Sequence, residues 1–269
     1  MRAGPVRIAP ALSVLRQDVS RGAAEDLDGA LTLLAAARTE QIGPTLRLYR
    51  PKPTMAFGQR DVNLPGFAAA CAAAARQGFE PLIRRAGGRA AAYHRGCLIV
   101  DHIEPQQDAM VYAKPRFGYF GELFAQALQS LGVDAGIGEI PREYCPGEFT
   151  VYGRSAGGFG VDGGTGGTGG SGGSGDDGAR DGGWDGRIKL VGTAQRVVAG
   201  AWLFSSVIVV EDSAPLRSVL TDSYAALGLD WNPLTAGGVA DLVPRLTVDD
   251  VTEAVLRVYA GRTELNFSS

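Results

Sequence analysis

Apolar positions recur along this chain at two spacings, and the change from one to the other divides it into elements. From Ala24 to Thr39, Leu27, Ala30, Leu31 and Leu34 fall on one helical face, with Asp26 and Asp28 near the start where carboxylates suit the helix dipole. Leu46 to Arg50 and Thr54 to Gly58 read as strands divided by Pro51 and Pro53. Pro65 then opens an alanine-rich helix that runs to Gln77 and that Gly78 closes. A short strand over Pro81 to Arg84 leads into a glycine loop, and Cys97 to Ile103 is apolar enough for a buried strand. Phe120, Leu123, Phe124, Ala127, Leu128 and Leu131 keep helical spacing from Tyr119 until Gly132 stops them. Arg196 to Glu211 reads as two strands joined near Ser205 and Ser206. Pro215 opens a helix to Leu227, and Thr247 with Asp250 forms a capping box for a last helix ending at Tyr259.

One strand pair is interrupted. Phe149 and Val151 alternate with Thr150 and Tyr152, and Ile188 and Leu190 alternate with Lys189 and Val191, as the two arms of a hairpin do. Between them Gly-Gly-Thr and Gly-Gly-Ser repeats, over about residues 160–186, hold too little apolar surface to offset their chain entropy. They read as a disordered insertion. Gly158-Phe159-Gly160-Val161-Asp162-Gly163 spells the dinucleotide fingerprint, but no strand-turn-helix pattern surrounds it. The chain thus sorts into a poorly patterned N-terminal segment, 1–23, a main domain over 24–212 that carries the insertion, and a helical C-terminal segment, 213–269, packed on the same domain.

A chain of 269 residues suffices for one large α/β domain. No apolar run reaches the ~18 residues of a membrane span, and the first residues hold no signal-like stretch, which points to the cytosol and to no membrane partner. Cys71, Cys97 and Cys145 have no paired spacing, so reduced thiols fit better than a disulfide framework or a cysteine zinc site. Gly160 to Gly186 holds five Asp against one Arg, enough to account for the net charge of −3. The remainder is close to neutral, which argues against a basic nucleic-acid surface.

Local clusters carry the chemistry. Arg84, Arg85, Arg89 and Arg95 surround Gly87-Gly88, where bared N–H groups beside guanidiniums suit a carboxylate or phosphate; a tight turn under a solvated arginine face reads equally well. Cys145 sits in the polar turn Arg142-Glu143-Tyr144-Cys145-Pro146-Gly147, unlike Cys71 in its alanine-rich helix or Cys97 in its apolar strand. Lys189 is a lone ammonium among Ile, Leu and Val, costly to bury without an anionic partner, or else a strand-edge solubility residue. Were the two to meet, the cation would lower the thiol's pKa, as a nucleophile requires. Gly192 permits close backbone approach, and Gln195 offers an amide. His94 and His102, the only histidines, are eight residues apart and make no zinc pair, so no metal is expected.

Three motifs in this order resemble the biotin and lipoate protein ligase superfamily, and within it the lipoate ligase A-like proteins and the cysteine-dependent octanoyl and lipoyl transferases. They are Arg85-Ala86-Gly87-Gly88-Arg89-Ala90 with Tyr93-His94-Arg95-Gly96, the Tyr144-Cys145-Pro146-Gly147 turn, and Lys189-Leu190-Val191-Gly192-Thr193-Ala194-Gln195-Arg196. Together with Leu46 to Pro51 and Ala56-Phe57-Gly58, the likeness spans roughly residues 25–212. It implies an α+β, class II ligase-like catalytic domain: a mixed, mostly antiparallel sheet flanked by helices, with a pocket over one face. It implies Cys145 as nucleophile and Lys189 at the acyl oxygen, with Arg84, Arg85, Gly87, Gly88, Arg89, His94, Gly192, Thr193 and Gln195 around the substrate. His94 as a base is a further hypothesis.

The implied activity is transfer of an octanoyl or lipoyl group from an acyl-donor carrier to the lysine of a lipoyl carrier domain, through a Cys145 thioester and without a cofactor. The acceptor would be a glycine cleavage H protein or a 2-oxoacid dehydrogenase subunit. Two alternatives stand beside it: an ATP-dependent lipoate ligase using ATP and Mg2+, and a non-catalytic lipoyl-domain or acyl-binding protein. Ala86 stands where ligases commonly show Ser or Thr, Arg89 where they show a third Gly, and the insertion where family members have a short turn.

Overall fold

The structure, a computed structural model, describes residues 6–155 and 184–267. In chain order its elements are β1 (Ala11–Gln17), α1 (Ala23–Arg38), β2 (Thr45–Tyr49), β3 (Thr54–Phe57), α2 (Gln59–Val62), α3 (Phe67–Arg76), β4 (Glu80–Ile83), β5 (Ala91–Tyr93), β6 (Cys97–Pro105), α4 (Ala113–Gln129), β7 (Ala135–Ile137), β8 (Val151–Arg154), β9 (Arg187–Val198), β10 (Ala201–Val209), α5 (Ser213–Leu227), α6 (Val239–Leu242), α7 (Val248–Ala260) and β11 (Glu264–Phe267). Eight strands form one sheet in the order β11-β1-β2-β6-β10-β9-β8-β7, and β4-β3-β5 form a second. In the large sheet β1 runs parallel to both β11 and β2, and the remaining pairs are antiparallel. This is the mixed, mostly antiparallel sheet with flanking helices that the resemblance implies.

Alternation along the central strands sorts side chains to two sides. Leu98 and Val100 of β6 and Trp202, Phe204 and Ile208 of β10 pack with Phe120, Leu123 and Phe124 of α4 and Val251, Val255 and Tyr259 of α7. On the other side Ile103 and Leu203 meet Ala30 and Leu34 of α1, while Ile99 and Val209 join the small sheet, α3 and α5.

Residues 11–17, which show little pattern in sequence, form β1 with Leu12 and Val14 fully buried. Its partner β11 comes from the other end of the chain, a pairing that no local pattern announces. The turn between β9 and β10 falls at Ala199-Gly200 and not near Ser205 and Ser206. Gly200 takes the φ of +88° that the turn needs, while Ser205 lies within β10 and donates its hydroxyl to Asp101 Oδ1 at 2.7 Å. Ser205 marks a part-buried hydrogen bond within the strand, not a break.

The hairpin read across the insertion exists. Arg154 of β8 pairs with Arg187 of β9, and Ser155 N–H donates to Gly186 O at 3.0 Å. Most of the insertion, with the fingerprint at 158–163, lies outside the described residues. The β8–β9 register slips between Val151, opposite Val191, and Tyr152, opposite Lys189. Gly192 and Ala194 face the same side as their partners Val207 and Ser205. The slip brings Lys189, of opposite parity, to that side too. Among the described residues no helix is long and apolar enough to cross a membrane.

Candidate active site

Two cavities meet at Cys145 and Lys189, the inner one against α1 and the outer one against α4. An inner one of about 110 Å³ is walled by Leu27 and Leu31 of α1, Tyr93 of β5, Ile99 of β6, and Leu203 and Val207 of β10. An outer cleft of about 460 Å³ lies between Phe117 of α4 and the loop Pro146–Phe149. Cys145, Lys189, Thr193 and Ala194 belong to both walls.

The loop before β8 places the thiol. Cys145 takes φ of +44°, a left-handed conformation uncommon for a side-chain-bearing residue, and its N–H donates to Tyr224 Oη at 2.8 Å. That hydroxyl donates in turn to Ala90 O at 2.9 Å, and burial pushes the Tyr224 phenol upward, keeping it a donor. Cys145 Sγ accepts from the N–H of Arg89 at 3.2 Å and from Arg84 Nη2 at 3.4 Å. Gly88 makes this approach possible, since a Cβ there would lie 2.8 Å from the sulfur and 2.5 Å from Arg84 Nη2, at a φ of +103°. Gly58 lies beneath the same loop, where a Cβ would meet Gly88 O at 2.0 Å. Burial raises the thiol of Cys71 and pushes that of Cys97 up to about 12.

Lys189 is buried with an anionic partner. Its Nζ lies 2.8 Å from Glu143 Oε2 and donates to Cys145 O at 2.8 Å and Tyr144 O at 3.1 Å, which engages all three ammonium hydrogens. The cation at the sulfur is therefore Arg84, and Lys189 fixes the loop through its backbone. Glu143, which the sequence did not single out, also accepts from Gly147 N–H at 3.1 Å and Thr150 Oγ1 at 2.8 Å. Its signal was available: a carboxylate two residues before the candidate thiol, in a chain with one lysine that needed an anion.

The remaining expected residues divide. Arg85, Gly192 and Thr193 line the inner cavity, and Gly87, Gly88 and Gln195 the outer cleft. The Arg89 guanidinium turns away to Asp61 Oδ1 at 3.1 Å, leaving its backbone to serve the site. His94 lines neither cavity. Its Nδ1 accepts from Gly96 N–H at 2.9 Å, so Nε2 carries the proton and donates to Asp212 O at 2.9 Å, tying the β5–β6 turn to the start of α5. With both nitrogens engaged in the scaffold, it is neither pocket-lining nor placed as a base.

Gln195 is held at both ends, its Oε1 accepting from Arg116 Nη1 at 2.9 Å and its Nε2 donating to Ala113 O at 2.9 Å. Arg116 is buried, lies 4.2 Å over the Trp202 ring and also donates to Ala109 O at 2.8 Å. Burial lowers its guanidinium to about 10. A charge four residues before Phe120 on an apolar helix face was the overlooked sign. Among the described residues no group of three His, Cys, Asp or Glu is placed to hold a metal ion.

Residues 23–260 match the family described as Lipoyl protein ligase A/B catalytic domain. The octanoyl-[GcvH]:protein N-octanoyltransferase of Exiguobacterium sibiricum is 24% identical over 250 residues, 87% of this chain and 76% of the relative. The proteins of that name from an Exiguobacterium sp. and from Geobacillus kaustophilus are 28% and 27% identical over 113 and 122 residues, 42% and 45% of this chain. Those two matches span only 40% and 42% of the relatives' own lengths. Among solved structures, lipoate-protein ligase A bound with ATP superposes with a TM-score of 0.64 at 18% identity, covering 96% of this chain and 88% of that one. The bi-partite lipoate protein ligase of Thermoplasma acidophilum gives 0.61 at 18% identity, covering 96% and 86%.

Proposed function

The chain belongs to the lipoyl protein ligase A/B catalytic domain family, and from that premise we propose that it transfers an octanoyl or lipoyl group between carrier proteins through a thioester on Cys145. The observation that carries this is the sulfur held by Arg84 and the Arg89 N–H where an apolar cavity meets an open cleft.

The acyl tail lies in the inner cavity. The thiolate attacks the acyl carbonyl, the S–C bond forms as the C–N bond to the donor breaks, and the leaving amine takes up a proton from solvent. An acceptor lysine, as the free amine, then attacks the thioester. A C–N bond forms, the C–S bond breaks, the thiolate returns and the amine's proton goes to solvent.

The relatives' name supports octanoyl on a glycine cleavage H protein as donor and another lipoyl carrier domain as acceptor. We place the reaction in the cytosol and without a cofactor. For an adenylate the glycine loop would have to cradle phosphate, but the N–H of Arg89 faces the sulfur and its guanidinium faces Asp61. The test is octanoyl transfer to an apo lipoyl domain with and without ATP, for wild type and Cys145→Ala. Transfer that ignores ATP and needs Cys145 supports the reading. ATP-dependent activation of free acid that survives Cys145→Ala would replace it with a ligase.

A further inference from the structure

We propose that the turn before α4, with Met110 and Val111 at its tip, is the docking surface for the carrier domain whose lysine arm enters the outer cleft. The inference rests on the acyl-transfer reading. Met110 and Val111 are 70% and 56% exposed, in a turn that runs directly into Ala113 and Lys114 of the cleft wall. Two exposed apolar residues side by side in the chain, just before the cleft wall, offer an apolar contact to a carrier that reaches into the cleft.

The turn is also rigidly framed. Arg116 holds Ala109 O and Gln195, Gln195 holds Ala113, and Arg196 Nη1 reaches Arg85 O at 2.7 Å. Lys114 and Glu148 pair at 2.9 Å and Phe117 stacks on Phe149, which fastens the catalytic loop to α4. A frame of this kind keeps its shape in the free protein, as a preorganised interface does.

Charge selects the occupant. Arg196 donates to a carbonyl oxygen and has no ion pair among the described residues, and Arg85 is exposed beside it. A partner with an acidic face around its lysine, and an apolar spot for Met110 and Val111, is complementary. A single lysine arm of four methylenes suits a cleft lined by Phe117 and Phe149.

The test compares wild type with Met110→Asp/Val111→Asp, and uses Phe267→Asp, on the edge strand β11, as control. Two readouts are taken: Cys145 acylation by octanoyl-N-acetylcysteamine, and calorimetric titration with an apo lipoyl domain. The proposal expects unchanged acylation by the small thioester, carrier affinity weakened about tenfold or more in the double variant, and none of that in the control. Salt at about 0.5 M should weaken wild-type binding as well. Unaltered carrier affinity in the double variant, or an equal loss in the control, overturns the docking surface. Failure of wild type to form an acyl-enzyme sinks the chemistry instead, and the titration still decides the surface.

Discussion

Lys189 Nζ and Glu143 Oε2 lie 2.8 Å apart in a place where neither side chain reaches solvent, and the pair clamps the loop that carries Cys145. Burying two charges is repaid only by close geometry and full hydrogen bonding, and removing one partner leaves the other uncompensated. Glu143→Ala should therefore cost about 3–5 kcal/mol in urea denaturation. The Lys189→Met/Glu143→Leu double variant should lose less stability than either truncation alone, yet be inactive in transfer. A Glu143→Ala protein as stable as wild type would show that the pair is not the clamp.

The guanidinium at the sulfur is a separate matter. Arg84→Met removes the cation 3.4 Å from Sγ and keeps the Arg89 N–H. Alkylation of Cys145 by iodoacetamide at pH 7 should slow about tenfold. An unchanged rate would mean the backbone donor suffices.

Two adjacent glycines should behave differently. Nothing lies within 4 Å of a Cβ at Gly87, whereas at Gly88 it meets the sulfur at 2.8 Å with φ at +103°. Gly88→Ala should cost about 1–3 kcal/mol of strain and abolish transfer, and Gly87→Ala should leave thermal stability within experimental error of wild type. Melting curves of the two variants decide this.

The thiols should separate by pH. Burial pushes Cys97 up to about 12, so it stays a neutral thiol across the neutral range, and Cys71 is shifted the same way. Intact mass after alkylation between pH 7 and about 9 should show one rapid adduct, at Cys145. Equal labelling of Cys97 while the protein is folded would contradict its burial.

Acyl length should answer to the inner cavity. Val207 lies opposite Gly192 in the β9–β10 ladder and lines the wall, so Val207→Phe should lower kcat/KM for octanoyl relative to butyryl donors by about tenfold or more. A uniform loss for both chains would place the tail elsewhere.

Much of this was legible from residues alone, and the rest was hidden for physical reasons. Thr247 and Asp250 cap α7 in both directions, Asp250 N–H to Thr247 Oγ1 at 3.2 Å and Thr247 N–H to Asp250 Oδ2 at 2.9 Å, because a capping box is a local arrangement. The β8–β9 hairpin shows through its insertion since period-two alternation survives on either side. Lys189 could be seen to need an anion, but not which one, because Glu143 reaches it only through a loop with φ of +58° at Arg142 and +44° at Cys145. Nor could alternation place Lys189 beside Gly192, since the register slip that re-aims it lives in the pairing of two strands. His94 sits within a recognisable motif, yet a motif does not say which way a ring points.

The account stands most directly on the mass of the protein after brief incubation with octanoylated glycine cleavage H protein, with no acceptor present. A gain of one octanoyl group, released by hydroxylamine as a thioester is and missing from Cys145→Ala, is the expected result. An enzyme that completes transfer at the wild-type rate without Cys145, or that carries the octanoyl group on any other residue, would contradict it.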